Sequence, residues 1–129
     1  MKLSMVKEKY PVMSLELDKS EVKLQTIDEI IDYFQQKIEE HPIATYIATF
    51  NHYEHTTSLP EHNIAPEIKN VKNIIFCFGK AIPNTKVTAV RPRSIAVCEL
   101  DTKWAIEFME APNEAMNPLM EGWAKGLKA

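Results

Sequence analysis

The chain has 129 residues, of which 45% are hydrophobic and 26% charged, and its net charge is −3. This is the size and composition of one globular domain, and the acidic balance argues against a protein that coats nucleic acid. The sequence has no apolar stretch of the roughly 20 residues that cross a bilayer, and its first residues lack the apolar core of a signal peptide. We therefore expect a single cytoplasmic domain over residues 1–129, with no nucleic-acid or membrane partner.

The N-terminal part of the chain contains the clearest secondary-structure signal. Residues 1–20 are predicted to be a partly ordered arm or an edge strand, because YPVMSLEL alternates only loosely between apolar and polar residues. In the following segment, TIDEIIDYFQQKIEEHP, apolar residues recur at helical spacing. Thr26 and Glu29 fit a capping box at the start of this helix, and Pro42 ends it near His41.

Several strands and a second helix are predicted after residue 42. IATYIATFNHY reads as a strand that is covered on both faces, and NIIFCFG as a second buried strand. A short strand is predicted from Lys86 to Val90, and SIAVCEL and KWAIEFMEA should form a hairpin around Asp101 and Thr102. A C-terminal amphipathic helix follows, with Asn113 or Asn117 as its N-cap.

These elements predict an α+β fold. The connections between strands are mostly too short for parallel crossovers, which favours an antiparallel sheet of four to six strands with the N-terminal and C-terminal helices packed on one face. Two of the predicted strands are apolar on both faces, so the second face should also meet a partner. A second copy of the chain is the simplest such partner, and we expect a homodimer.

The stretch NHYEHTTSLPEH holds three of the four histidines. If the strand continues through it, His52 and Glu54 share one face while His52 and His55 lie on opposite faces, which is the pattern of an ordinary polar strand end. If the strand breaks before His55, a loop could bring His52, Glu54, His55 and His62 together as ligands of a divalent metal.

Hydroxyl and guanidinium groups suggest a different kind of site. Arg91 and Arg93 in VRPRS are spaced to form a fork for a carboxylate or phosphate, although charges and a proline also protect an exposed strand edge. In the histidine-rich stretch, hydroxyls could hold an anion beside a histidine, or could simply stabilise a turn. The hypothesis is a joint site for a small polar or anionic ligand, formed by His52, His55, Thr56, Thr57, Ser58, Arg91 and Arg93.

The two cysteines, Cys77 and Cys98, each lie within an apolar run. They are expected to be reduced core thiols, as buried free cysteines usually are, and the alternative is a redox pair.

Four segments of the sequence, HPIATYIATFNHYEHTTSL, IIFCFG, AVRPRSIAVCEL and FMEAPN, carry a resemblance to a known family. Together they resemble the signature blocks of a small, uncharacterised bacterial family of single-domain α+β proteins. The resemblance implies one cytoplasmic domain and supplies no catalytic residues. We therefore expect a non-enzymatic ligand-binding or accessory module, with a metal-binding protein or metalloenzyme as the first alternative and a thiol redox protein as the second.

Overall fold

A computed structural model describes residues 1–7 and 9–128 as a six-stranded antiparallel sheet with helices. The elements are β1 (Lys2–Val6), β2 (Tyr10–Asp18), α1 (Ile27–Glu40), β3 (Ala44–Phe50), α2 (His52–Thr57), β4 (Asn70–Phe78), β5 (Arg93–Glu99), β6 (Lys103–Met109) and α3 (Met116–Lys125). The strand order is β1-β2-β6-β5-β4-β3. Within the described residues, no helix combines the length and apolar character that a membrane span requires.

Helix α1 forms where the apolar periodicity predicts it. Thr26 Oγ1 accepts a hydrogen bond from the Glu29 backbone N–H at 3.2 Å, and Glu29 Oε1 accepts from the Thr26 backbone N–H at 3.1 Å. These two bonds confirm the predicted capping box, which satisfies N–H groups that the first turn leaves without partners. The buried stripe of the helix consists of Ile27, Ile30, Ile31, Phe34 and Ile38.

Helices α1 and α3 cover the same side of the sheet, here called the front face. Phe76 and Phe78 of β4 point toward this side, and Trp123 of α3 stacks on Phe78 with ring centroids 5.7 Å apart. The buried residues of α1 belong to the same apolar cluster. An α+β fold with both helices on one face of an antiparallel sheet is therefore confirmed.

Helix α2 lies on the opposite side of the sheet, here called the rear face. The strand β3 ends at Phe50, and Asn51 Oδ1 accepts from the Glu54 backbone N–H at 3.1 Å to cap the new helix. His52 then reaches Asn73, a rear-facing residue of β4. The chain therefore leaves the strand before His52, which resolves the alternatives that the sequence left open for this stretch.

The strand predicted from Lys86 to Val90 does not form, and the edge strand predicted before residue 20 is one of two strands there. Residues Lys86–Val90 form a short 3-10 helix, because Asn84 Oδ1 accepts from the Val87 N–H at 3.0 Å and Thr88 Oγ1 donates to the Thr85 carbonyl at 2.6 Å. Such local side-chain bonds compete with a sheet ladder. The segment before residue 20 forms two strands, of which β1 is the edge and β2 pairs with β6 inside the sheet.

Strand β3 lies at the other edge of the sheet and is not covered on both faces as predicted. It pairs with β4 alone, with a register shift between Tyr46 and Ala48. Its apolar residues Ile47 and Phe50 are 50% and 41% exposed. Tyr46 packs against the core from the front, whereas Ile47 and Phe50 keep about half of their surface exposed.

Candidate functional site

A cavity of about 380 Å³ opens at the end of the sheet where β4 ends and β5 begins. Its walls come from Ile43, from residues within 78–83 and 87–93, and from residues within 111–116 at the start of α3. Arg91 and Arg93 both line it, so we call it the arginine pocket. Most of the remaining wall is apolar.

Arg91 is held against the backbone that follows β4. Its Nη1 donates to the Ala81 carbonyl at 2.8 Å. The guanidinium also lies over Gly79, where a Cβ atom would come within 2.7 Å of Arg91 Nη2. Gly79 has a φ of +125°, a conformation that residues with side chains rarely adopt. Glycine at this position therefore serves both the turn and the placement of the arginine.

Arg93 is the first residue of β5 and its side chain is half-buried. Its Nη2 donates to the Met109 carbonyl, and its Nη1 lies 3.5 Å from the Val90 carbonyl. The Nε atom is buried and has no hydrogen-bond partner among the described residues. Burial lowers the pKa of Arg93 from its ordinary value, but a guanidinium stays charged at any physiological pH.

The two arginines have no acidic counterpart within the part of the chain that the structure describes. No carboxylate oxygen there lies within 4.0 Å of either guanidinium, whereas lysines supply the cation of every ion pair. Lys80 also lines the arginine pocket. The pocket therefore combines uncompensated positive charge with apolar walls.

The start of α3 closes the arginine pocket and is fixed by asparagine side chains. Asn117 accepts from the Ala111 N–H at 2.7 Å and donates to the Ala111 carbonyl at 3.2 Å. Asn113 Oδ1 accepts from the Ala115 N–H at 3.2 Å, and the Asn113 carbonyl accepts from the Met116 N–H at 3.0 Å. The helix N-cap is Ala115, so neither predicted asparagine occupies that position.

The arginine pocket contains only the arginine half of the predicted joint site. The arginine pocket adjoins Ile43, just before β3, whereas α2 follows Phe50 at the other end of that strand. The six-residue step along β3 spans about 20 Å, although Arg93 also lines a rear hollow with Asn73, the hydrogen-bond partner of His52. Thr57 Oγ1 and Ser58 Oγ donate to the carbonyls of Glu54 and His55 within the helical turn, at 3.1 and 2.7 Å. Thr56 faces a different hollow, beside Val71.

The histidines near α2 have partners of their own. The Asn73 side chain donates through Nδ2 to Ser94 Oγ. Its Oδ1 accepts from His52 Nδ1 at 3.0 Å. The rings of His52 and His55 both pack on Phe50, with centroids 5.1 and 5.5 Å away. A separate bond joins His62 Nδ1 to the Leu59 carbonyl at 2.9 Å, and Glu54 accepts from Asn51. Residues 1–7 and 9–128 contain no group of three or more His, Cys, Asp or Glu side chains placed to hold a metal ion.

The cysteines are also apart. Cys98 of β5 pairs with Val71 of β4, and Cys77 lies six residues further along β4. This spacing corresponds to about 20 Å, while a disulfide requires Cα atoms within about 7 Å. Burial, assisted by the nearby Glu107 carboxyl, raises the pKa of Cys98 to about 11. The Cys98 thiol is therefore protonated at neutral pH, and the two cysteines do not form a redox pair within one chain.

A comparison with protein families matches the whole chain, residues 1–129, to a family described as "Family of unknown function (DUF6858)". The chain belongs to this family. No curated protein and no solved structure matches it. The family assignment agrees with the expected uncharacterised single-domain family and assigns no chemistry to the arginine pocket.

The rear face carries one further group whose ionisation is perturbed, Glu107 of β6. Ser14 Oγ donates to Glu107 Oε2, and the side chain lines a hollow with Asn73 and Ser94. Burial raises the pKa of Glu107 above its ordinary value, the Ser14 hydrogen bond opposes this, and the Glu16 charge adds to it. The folded protein therefore holds the Glu107 proton more tightly than the unfolded chain does.

Replacing Glu107 with glutamine is expected to change how stability depends on pH. Between the ordinary carboxyl pKa and the raised value, the native state binds more protons than the unfolded state, so the free energy of unfolding falls as pH rises. Glu107→Gln removes this fall. Urea denaturation of both proteins between pH 4 and 8 measures the difference, and Glu61→Gln, in an exposed loop, is the matched control. If the free energy of unfolding depends on pH in the same way for wild type and Glu107→Gln, the pKa of Glu107 is not raised in the folded protein.

Proposed function

We propose that this protein is a non-enzymatic binding or accessory module that holds a small anionic ligand in the arginine pocket. The observation that carries the proposal is the pair of arginines that line a largely apolar cavity, with no carboxylate near either guanidinium in the described structure. Charged groups in such surroundings are normally paired, and an anionic ligand supplies the pairing.

The composition of the pocket supports binding. Its charged and polar side chains are Arg91, Arg93, Lys80 and Asn113, which are donors suited to an anion. The volume of about 380 Å³ falls within the range of about 300–1,000 Å³ that is common for small-molecule sites. Arg93 also contributes its charge to the pocket wall, because its side chain lines the cavity and has no carboxylate partner in the described chain.

Arg91→Met tests the proposal. Isothermal titration with benzoate and with inorganic phosphate should detect binding of at least one anion to wild type. Removing one charge-assisted contact should weaken that binding about tenfold or more. Lys86→Met is the matched control, because it removes one exposed positive charge from the adjacent 3-10 helix outside the pocket, and it should retain wild-type affinity. Failure of both anions to bind, or equal effects of the two variants, would contradict the proposal.

We also propose that the protein is a homodimer of the bacterial cytoplasm. The exposed Ile47 and Phe50 at the β3 edge and the rear-facing Ile75 beside them support an apolar contact with a second copy. Two free cysteines suit a reducing compartment. Native mass spectrometry of untagged protein should show two subunits, and Ile47→Lys should shift the protein to one. A wild-type protein with a single subunit would refute the dimer.

A further inference from the structure

The walls of the arginine pocket are mainly hydrocarbon. Ile43, Phe78, Val87, Val90 and Met116 line it, together with alanine and proline residues. A strongly hydrated ion such as phosphate gains little from such walls and loses water on entering, whereas an apolar group gains free energy in proportion to the surface that it buries. The walls therefore favour a ligand with an apolar body.

The donors of the pocket suit a planar anion. Arg91 uses one guanidinium N–H on the Ala81 carbonyl, which leaves most of its fork available. Two parallel N–H groups of a guanidinium match the two oxygens of a carboxylate. Phosphate sites commonly add backbone N–H groups at a helix start, but here the N–H groups of Ala115 and Met116 already donate to Asn113.

The volume limits the size of the ligand. A cavity of about 380 Å³ lies near the low end of the range of about 300–1,000 Å³ that is common for small-molecule sites. A carboxylic acid with six to ten carbons is of this size.

We infer that the ligand is a small amphipathic monocarboxylate, with its carboxylate on the Arg91 and Arg93 guanidinium groups and its apolar body between Phe78, Val87 and Met116. This inference rests on the proposed function and adds the chemical class of the ligand. In this pocket the arginines determine the charge of the ligand, and the apolar walls determine the length of its apolar body.

Isothermal titration with defined probes tests the inference. Octanoate should bind at least tenfold more tightly than acetate or phosphate, because each methylene buried in an apolar site strengthens binding about three- to fourfold. It should exceed octylamine by a similar factor, because the arginines repel the ammonium group. Octanoate binding should also show a negative heat-capacity change. Arg91→Met should weaken octanoate binding about tenfold, while Lys86→Met should not. Val87→Asn should weaken octanoate binding and leave acetate binding unchanged, because only octanoate reaches that wall.

The possible failures separate the inference from the proposed function. If phosphate binds more tightly than octanoate and Arg91→Met weakens its binding, the proposed anion site is supported and the carboxylate class is overturned. If no anion binds, both fail. If octanoate binds equally well to wild type and Arg91→Met, its site lies elsewhere and the inference is overturned. Octanoate binding that Val87→Asn leaves unchanged would overturn the position assigned to the apolar body.

Discussion

Replacing Gly79 with alanine is expected to weaken anion binding about tenfold and to destabilise the fold by about 1–3 kcal/mol. The added Cβ would lie 2.7 Å from Arg91 Nη2 and 2.9 Å from Arg91 Cζ, so the guanidinium must move away from its position in the pocket. The φ of +125° adds backbone strain that any side chain would experience. Calorimetry with octanoate or benzoate measures the first effect, and urea denaturation measures the second.

The chain provides a matched control for this substitution. Gly122 lies within α3 and a Cβ added there meets nothing within 4 Å. Gly122→Ala should therefore leave binding unchanged and stabilise the protein by up to about 1 kcal/mol through helix propensity. In an Arg91→Met background, Gly79→Ala should have no further effect on affinity. An equal loss of affinity in both backgrounds would show that Gly79 does not act through Arg91.

Replacing Phe34 with alanine is expected to cost about 3–5 kcal/mol of the free energy of unfolding. Phe34 is fully buried on α1, where its ring meets Tyr33 edge-on at 5.4 Å and belongs to the cluster that joins α1 to β4 and β5. The substitution removes the ring and leaves a cavity that the surrounding helix and sheet can fill only in part. A loss of this size is a large fraction of the stability of a typical domain, so urea denaturation should show a large shift of the midpoint.

Gln36→Ala is the control for this second substitution. Gln36 is exposed on the same helix, two residues away, and its replacement should change stability by no more than about 0.5 kcal/mol. If Phe34→Ala costs as little as Gln36→Ala, α1 does not pack on the sheet as described.

The sequence predicted those elements whose signal is local. The apolar period and capping box of α1, and the hairpin formed by β5 and β6, depend on residues that are close in the chain. Lys86–Val90 has the composition of a strand but forms a 3-10 helix, in which Asn84 Oδ1 accepts from the Val87 N–H and Thr88 Oγ1 donates to the Thr85 carbonyl. One edge strand was predicted before residue 20, but the segment forms two strands, β1 and β2.

The candidate site was predictable only in part, for a geometric reason. Arg91 and Arg93 could be identified from their spacing, and the structure places both in one pocket. The apolar walls come from segments far apart in the chain, and no pattern within one segment indicates that they meet. Gly79 was recognisable as the end of a strand, but its second role depends on a guanidinium twelve residues later in sequence, which only the folded chain brings there.

The order of strands also has a consequence for how the protein folds. Strand β2 pairs with β6, and the hydrogen bond from Ser14 to Glu107 spans 93 positions. Because contacts between distant residues form slowly, the N-terminal hairpin must wait for residues 103–109 before it gains its place in the sheet. During synthesis, β1 is made long before β6, so the apolar side chains Leu3, Met5 and Val6 stay open to contact with other proteins until the sheet is complete.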